Sequence, residues 1–382
     1  MIGDPGPGPG HNPPPGHGPP PGQRPVPARV QRRQVQLTNA PPTRAQLREL
    51  AQVEARKIEL YFNRHRNQFE YVRYLSNGLT GVSCKIRLKS SEGRNTSQFF
   101  VVKRTYREDR RQYLRDELRM LELFYIPSSL NNPLIGAPGL TIFTEWIESG
   151  TLRNFIDRSM SRPLPLPNRV LLEFFKCLVH FCIAMAWPPN GDMRAPQQEE
   201  KIPTDFQKRL RKEQITHNDM HVANGSLDPE GGGHGLVPIL KLIDFDRASG
   251  VARPSGVNTG VATNIRDIGQ VMRTIITGDF VMSPRPGDVT VTVGGSRQTF
   301  FTQGADLTAT QYKNLDPEIA ALVQWCLASP TARPSLELLD NSLTDLMGRA
   351  TPDRYAGYPQ GRYESDDEIR RIVQRYMLDA DS

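Results

Sequence analysis

Cysteine is scarce in this chain: Cys84, Cys177, Cys182 and Cys326 are the four thiols among 382 residues, with no CxxC spacing and no histidine at a zinc-finger interval. That argues against a disulfide-framed scaffold and a structural zinc module, and leaves reduced core thiols. No apolar run approaches the roughly 20 residues a membrane span requires, so no membrane partner is expected. The first residues lack the charged-then-apolar order of a secretory signal, which predicts a cytosolic or nuclear setting. Aromatic residues make up 8% of the chain and do not interleave with basic ones, and the Lys and Arg behind the net charge of +7 are mixed with Asp and Glu. Nucleic-acid recognition is therefore not expected either.

What is present is enough apolar material, 37% of the residues, to bury the core of one catalytic unit with flanking segments. Residues 1–42 are dominated by Pro and Gly, in runs such as Pro13 to Pro15 and Pro19 to Pro21. Such a stretch cannot offset its ordering entropy by burial and reads as a solvated arm with polyproline II character, a possible ligand for a Pro-reading partner domain. From Thr43 the texture changes. Leu47, Leu50, Ala51, Glu54, Ile58 and Tyr61 recur at helical spacing, predicting an amphipathic helix to about Arg66 within an extension spanning 43–74.

The richest stretch runs from Thr216 to Ala248. It sets Asp219 and Asn224 on one short loop, then a Gly-rich turn, then the apolar run Val237 to Ile243 leading to Asp244. Mg²⁺ prefers oxygen ligands and takes only one or two from a protein when phosphates and water supply the rest, which suits Asn224 and Asp244. A carboxylate outside the metal shell, Asp219, can then orient an attacking hydroxyl and accept its proton. Upstream, FFVVKRTY carries a single charge, Lys103, inside an apolar strand pattern, and a buried ammonium needs an acidic partner. The helical run YLRDELRMLELF offers Glu117 and Glu122.

In their order, HNDMHVAN and IDF resemble the HxDxxxxN catalytic loop and the DFG strand end of the protein kinase superfamily. The resemblance implies an α+β, bilobal fold with a small β-rich lobe over 75–150 and a mainly helical lobe over 151–349; the residues beyond it, 350–382, read as a polar tail. The resemblance also implies ATP and Mg²⁺ as cofactors, with Lys103 paired to Glu117, Asp219 as base, and Asn224 and Asp244 on the metal. His221 stands where serine/threonine kinases have the lysine that steadies the transferred phosphate. LSNGLTGVSCKI takes the place of the phosphate-covering loop, so Gly78, Gly81 and Val82 become nucleotide contacts. GLTIFTEWIESG takes that of the hinge, with Thr144 as gatekeeper and the backbone from Glu145 to Ile147 meeting adenine. Further on, Asn264 and Gly269 resemble the DxWSxG helix and CLASPTARPS the end of the large lobe, with Arg333 as its structural arginine.

The chain also departs from the kinase pattern. There is no APE platform, the acid that normally meets Arg333; Asp246 replaces the glycine of DFG and Asn218 the arginine of the loop. The loop is also similar to that of aminoglycoside and choline phosphotransferases. The favoured expectation is a divergent enzyme of the kind found in filamentous fungi, acting on Ser or Thr of a protein. A small-molecule kinase and a nucleotide-binding scaffold without activity stand as alternatives. Two smaller features complete the reading: a hairpin around Gly294 and Gly295, and a tail helix capped by Ser365 and Glu368. Ile369, Ile372, Val373 and Met377 of that helix should dock on the domain.

Overall fold

The structure of the protein, a computed structural model, describes residues 42–78, 81–89, 98–123, 140–161, 166–188, 200–205, 215–228, 235–250, 259–281, 283–293 and 295–379. The Pro/Gly arm up to residue 41, most of the insertion expected over 188–212 with its short helix near 205–211, and the segment 251–258 lie outside them. Residues 44–382 form one compact unit. It is a mixed α+β arrangement, a four-stranded antiparallel sheet followed by a mostly helical region with small sheets.

The sheet runs in the order β1 (Phe69–Asn77), β2 (Val82–Leu88), β3 (Gln98–Arg104), β4 (Thr141–Glu145), each strand antiparallel to its neighbour. Strand β1 starts at Phe69, so the boundary expected at 74/75 falls inside a strand. One sheet face carries Val82, Cys84, Ile86, Phe100 and Val102, all buried. Helix α1 (Arg44–Arg64) lies on it. The residues α1 buries are Ala51, Glu54, Ala55, Ile58 and Phe62, whereas Leu50, expected inside, is exposed. Alanine at 51 and 55 lets the helix axis come close to the strands, and Phe62 then fills the far end against Phe69 and Phe143. The buried carboxylate of Glu54 meets Arg104 Nε at 2.6 Å, which fastens α1 to the end of β3.

Helix α2 (Arg111–Leu123) follows a short 3₁₀ turn, and after β4 comes α3 (Leu152–Met160). Thr151 caps α3 in a reciprocal capping box with Asn154. The centre of the helical region is α4 (Asn168–Ala186), apolar around most of its circumference and buried to match. The short strands β5 (Ile215–Thr216), β6 (Gly225–Asp228), β7 (Ile239–Leu242) and β8 (Ser249–Gly250) precede α5 (Gly260–Thr277), which ends on Gly278 at φ 69°. The hairpin of β9 (Gly287–Val293) and β10 (Ser296–Thr302) pairs Val293 with Ser296 across the expected glycine turn. Helices α6 (Pro317–Cys326) and α7 (Leu336–Arg349) close the core.

The tail is less polar in its role than its composition suggests. Tyr355, in the one-turn α8 (Pro352–Tyr355), is fully buried, and its hydroxyl donates to Asp316 Oδ2 at 3.0 Å. Glu364 is buried and accepts from the Asn168 and Arg169 amides at 2.6 and 3.1 Å, capping the start of α4. Helix α9 (Asp366–Val373), N-capped by Ser365 as its sequence indicates, sends Ile369, Ile372 and Val373 into the main core, followed by Tyr376 and Met377. Among the described residues no helix is long and apolar enough to cross a membrane.

Candidate active site

Strand alternation places Lys103 on the sheet face opposite α1, beside its cross-strand neighbour Ser83. Its Nζ lies 2.8 Å from Glu117 Oε2 on α2, 2.6 Å from Asp244 Oδ1 and 4.0 Å from Asp246 Oδ2. Burial alone would pull the Lys103 pKa down, but Glu117 and Asp244 outweigh it and hold the ammonium above its ordinary range. Burial raises Glu117, helped by the negative charge of Asp244 and opposed by Lys103. Glu117 is thus the partner that the isolated lysine demanded, and an ammonium held this way is suited to gripping phosphate oxygens.

The catalytic-loop candidate is clamped from several directions. Strand β5 pairs with β8, joining the start of the loop to the segment after Asp244. Asn264 on α5, buried, accepts from the His217 amide at 3.2 Å and donates to the Ile215 carbonyl at 2.8 Å. His217 is fully buried, its ring centroid 5.0 Å from that of Phe245, and its Nδ1 accepts from the Asp219 amide at 3.3 Å. Burial pushes His217 down to about 4, so it is a neutral spacer between loop and strand end. Asn218 and Asp244 both sit at left-handed φ, 60° and 67°, a conformation that Asn and Asp tolerate better than most residues.

Within this frame Asn224 Nδ2 donates to the Asp219 carbonyl at 2.9 Å and reaches its carboxylate at 3.4 Å. The Ile243 amide donates to the Asn224 carbonyl at 2.8 Å. A continuous chain of contacts thus runs from Asp219 through Asn224 and Ile243 to Asp244 and on to Lys103 and Glu117. His221 Nδ1 accepts from the Ala223 amide, which leaves Nε2 as the protonated nitrogen, 3.8 Å from Asp219 Oδ1. Arg247 Nη1 lies 3.9 Å from the same oxygen, a neighbour that sequence reasoning missed. The only signal for it would have been the pairing of β5 with β8, and strands of two residues carry no readable periodicity.

The expected nucleotide contacts fare differently from one another. Val82 is fully buried on the α1 face, so its side chain points away from Lys103, and Ser83 holds the position on the Lys103 face. A shift of one residue along a strand reverses the face, which is why the assignment to Val82 does not hold. Gly78 and Gly81 close a tight loop through the Gly78 amide and Gly81 carbonyl at 2.9 Å. A Cβ on Gly81 would stand 2.4 Å from the Arg104 carbonyl oxygen, so packing against β3 already requires glycine there; a Cβ on Gly78 would meet nothing within 4 Å. Thr144 pairs with Val101 on the Lys103 face. The Glu145 carboxylate is drawn 2.8 Å from Lys241 on β7, leaving its backbone as the part able to meet a base, and Ile147 follows half-buried.

Among the described residues no three His, Cys, Asp or Glu side chains could hold a metal ion by themselves. Asn224 and Asp244 nevertheless fit a Mg²⁺ shared with phosphate. The amide nitrogen of Asn224 is spent on Asp219, which leaves Oδ1 as its ligand atom, and Asp244 keeps one carboxylate oxygen beyond its contact with Lys103. Arg333, for which the sequence lacks the APE acid that normally meets it, donates instead to the carbonyls of Ala328 and Ala262 at 3.0 and 3.1 Å. A hollow of about 220 Å³ between the β9–β10 hairpin and α7, with Val293, Leu322 and Leu346 at its base and Glu318, Asp345 and Arg349 on its walls, shares no residue with this constellation. No protein-family model matches the chain, and no curated protein matches it.

Proposed function

We propose that the chain is an ATP- and Mg²⁺-dependent phosphotransferase of protein-kinase type, bilobal in the kinase manner, that transfers the γ-phosphate to Ser or Thr of a protein. The single observation that carries this reading is the convergence of Lys103, Glu117, Asn224 and Asp244 with Asp219, brought together from separate segments of the chain. Phosphoryl transfer asks a protein for positioning and charge neutralisation rather than covalent chemistry, and these are the groups that supply them. Lys103, held by Glu117, orients the phosphates. Asn224 and Asp244 hold Mg²⁺, which neutralises phosphate charge when bound. Asp219 accepts the proton of the acceptor hydroxyl, and His221 donates Nε2–H beside it.

The test has two arms. Mg·ATP should raise the melting temperature of the wild type and fail to do so for Asp244→Ala. Asp219→Asn should keep that shift while losing transfer by about 10²- to 10⁴-fold, the range of general-base catalysis. An unchanged rate in Asp219→Asn would remove the base assignment, and no Mg·ATP shift in the wild type would remove the whole reading.

A second reading, transfer to a small-molecule hydroxyl, is favoured by one observation. Strand β8 ends at Gly250 and α5 begins at Gly260, so little chain lies between them from which to build a peptide platform. Transfer confined to aminoalcohols or aminoglycosides, with none to Ser or Thr peptides, would select it.

A further inference from the structure

Arg247, three residues beyond Asp244, has no part in the mechanism above, yet it stands at the acceptor end of the same site. Its backbone is fixed. The Asn218 side-chain amide donates to the Arg247 carbonyl at 3.0 Å and to Ser249 Oγ at 2.8 Å. The Ala248 amide donates to the Phe245 carbonyl at 3.0 Å, and Thr216 Oγ1 donates to the Ser249 carbonyl at 3.1 Å, so the stem of Arg247 is tied to the loop that carries Asp219. The guanidinium is the opposite case. Its side chain is 50% exposed, and its ion-pair contact, to Asp219 Oδ1, is 3.9 Å long, beyond hydrogen-bonding distance. The planar fork of donors stands beside the base without being used up by it.

His221 Nε2 approaches the same Asp219 oxygen at 3.8 Å, so the base has a cationic or proton-donating group on each of two sides. An acceptor presenting its hydroxyl to Asp219 must bring its neighbouring substituents past Arg247. An ammonium there would face a guanidinium, an electrostatic penalty of the kind that rejects wrong partners, whereas a carboxylate or phosphate would find a bidentate donor. We propose that Arg247 is a specificity-determining residue that receives an anionic group flanking the acceptor hydroxyl, so that the preferred acceptor is a Ser or Thr peptide with Asp or Glu beside the phosphorylated residue. The net charge of +7 favours encounter with such peptides. This proposal rests on the phosphotransferase reading and deepens it by naming the acceptor class.

The experiment compares the wild type, Arg247→Ala, Arg247→Lys and Arg247→Glu as full-length chains. The acceptors are Ser peptides flanked by Asp and Glu, the same peptides flanked by Lys and Arg, and an aminoalcohol and aminoglycoside panel. The expected result is a wild-type preference for the acidic over the basic peptide of about tenfold in kcat/KM, a factor of about three from attraction to one exposed charge multiplied by a similar factor from repulsion of the basic peptide. Arg247→Ala should erase it chiefly by raising KM for the acidic peptide, Arg247→Lys should keep part of it, and Arg247→Glu should reverse it. The Mg·ATP thermal shift should stay intact in all three variants, showing that they fold. A wild-type preference for basic peptides or aminoalcohols, or a preference that Arg247→Glu leaves in place, overturns this proposal and leaves the phosphotransferase reading standing. A wild type with neither Mg·ATP shift nor transfer overturns both.

Discussion

Acid should loosen the candidate site through one histidine. His217 has no solvent exposure and is held down to about 4 by burial against an ordinary value of 6.5. A histidine whose pKa is lowered by folding binds fewer protons in the native than in the unfolded state between those two values. Stability therefore rises with pH through that window: the contribution is complete above about 6.5, is lost as pH falls towards 4, and is flat below. With 1.36 kcal/mol for each pKa unit, the interval corresponds to about 3 kcal/mol. Urea unfolding at intervals between pH 4 and 7 measures it. The control is His217→Asn, whose side-chain oxygen can still accept from the Asp219 amide but cannot titrate. Other groups titrate in the same range, so the informative quantity is the difference in slope between wild type and variant. Identical slopes would refute the reasoning, because they would mean that His217 is reached by protons without disturbing the native state.

Two further outcomes can be checked on the same preparations. Glu364→Ala should cost about 2–4 kcal/mol in urea unfolding, since it leaves the buried backbone and side-chain amides of Asn168 and the half-buried Arg169 amide without their acceptor, and Glu364→Gln, which keeps an acceptor oxygen, should cost less. Gly81→Ala should destabilise by about 1–3 kcal/mol through the overlap with the Arg104 carbonyl, whereas Gly78→Ala should leave stability nearly unchanged and raise KM for ATP if that backbone covers phosphate. Equal losses of stability at the two glycines would contradict the packing account of Gly81.

The parts of the site that sequence could disclose were those whose chemistry is local. An ammonium in an apolar strand has few tolerable environments, so Lys103 announced a buried acid before any fold was known. Asp219, Asn224 and Asp244 likewise stand at the ends of short, strongly patterned runs. What escaped was decided by register and by distant neighbours. Val82 and Ser83 are adjacent in a strand that alternates cleanly, Val82, Cys84 and Ile86 on one face and Ser83, Lys85 and Arg87 on the other, but alternation alone does not say which face meets the site; the pairing of Ser83 with Lys103 does. On α1 two apolar stripes compete; Ala51, Ala55, Ile58 and Phe62 win because small side chains allow close approach to the sheet, which leaves Leu50, Val53 and Leu60 exposed. Arg333 was read through an ion pair when two carbonyls suffice. Arg247 owes its place to two strands of two residues each, below the length at which alternation means anything.

The bond from Glu364 to Asn168 spans 196 positions of sequence. On the ribosome α4 emerges long before the carboxylate that caps it and the Ile369 to Met377 side chains that help cover the core around it. A mainly apolar helix must wait with its first amides bare and part of its surroundings unmade, a long-range dependence that slows folding and prolongs the opportunity for self-association. Nascent chains stalled short of Glu364 are therefore expected to be captured by chaperones and to resist protease poorly. Chains extended past Met377 should acquire protection in a single late step.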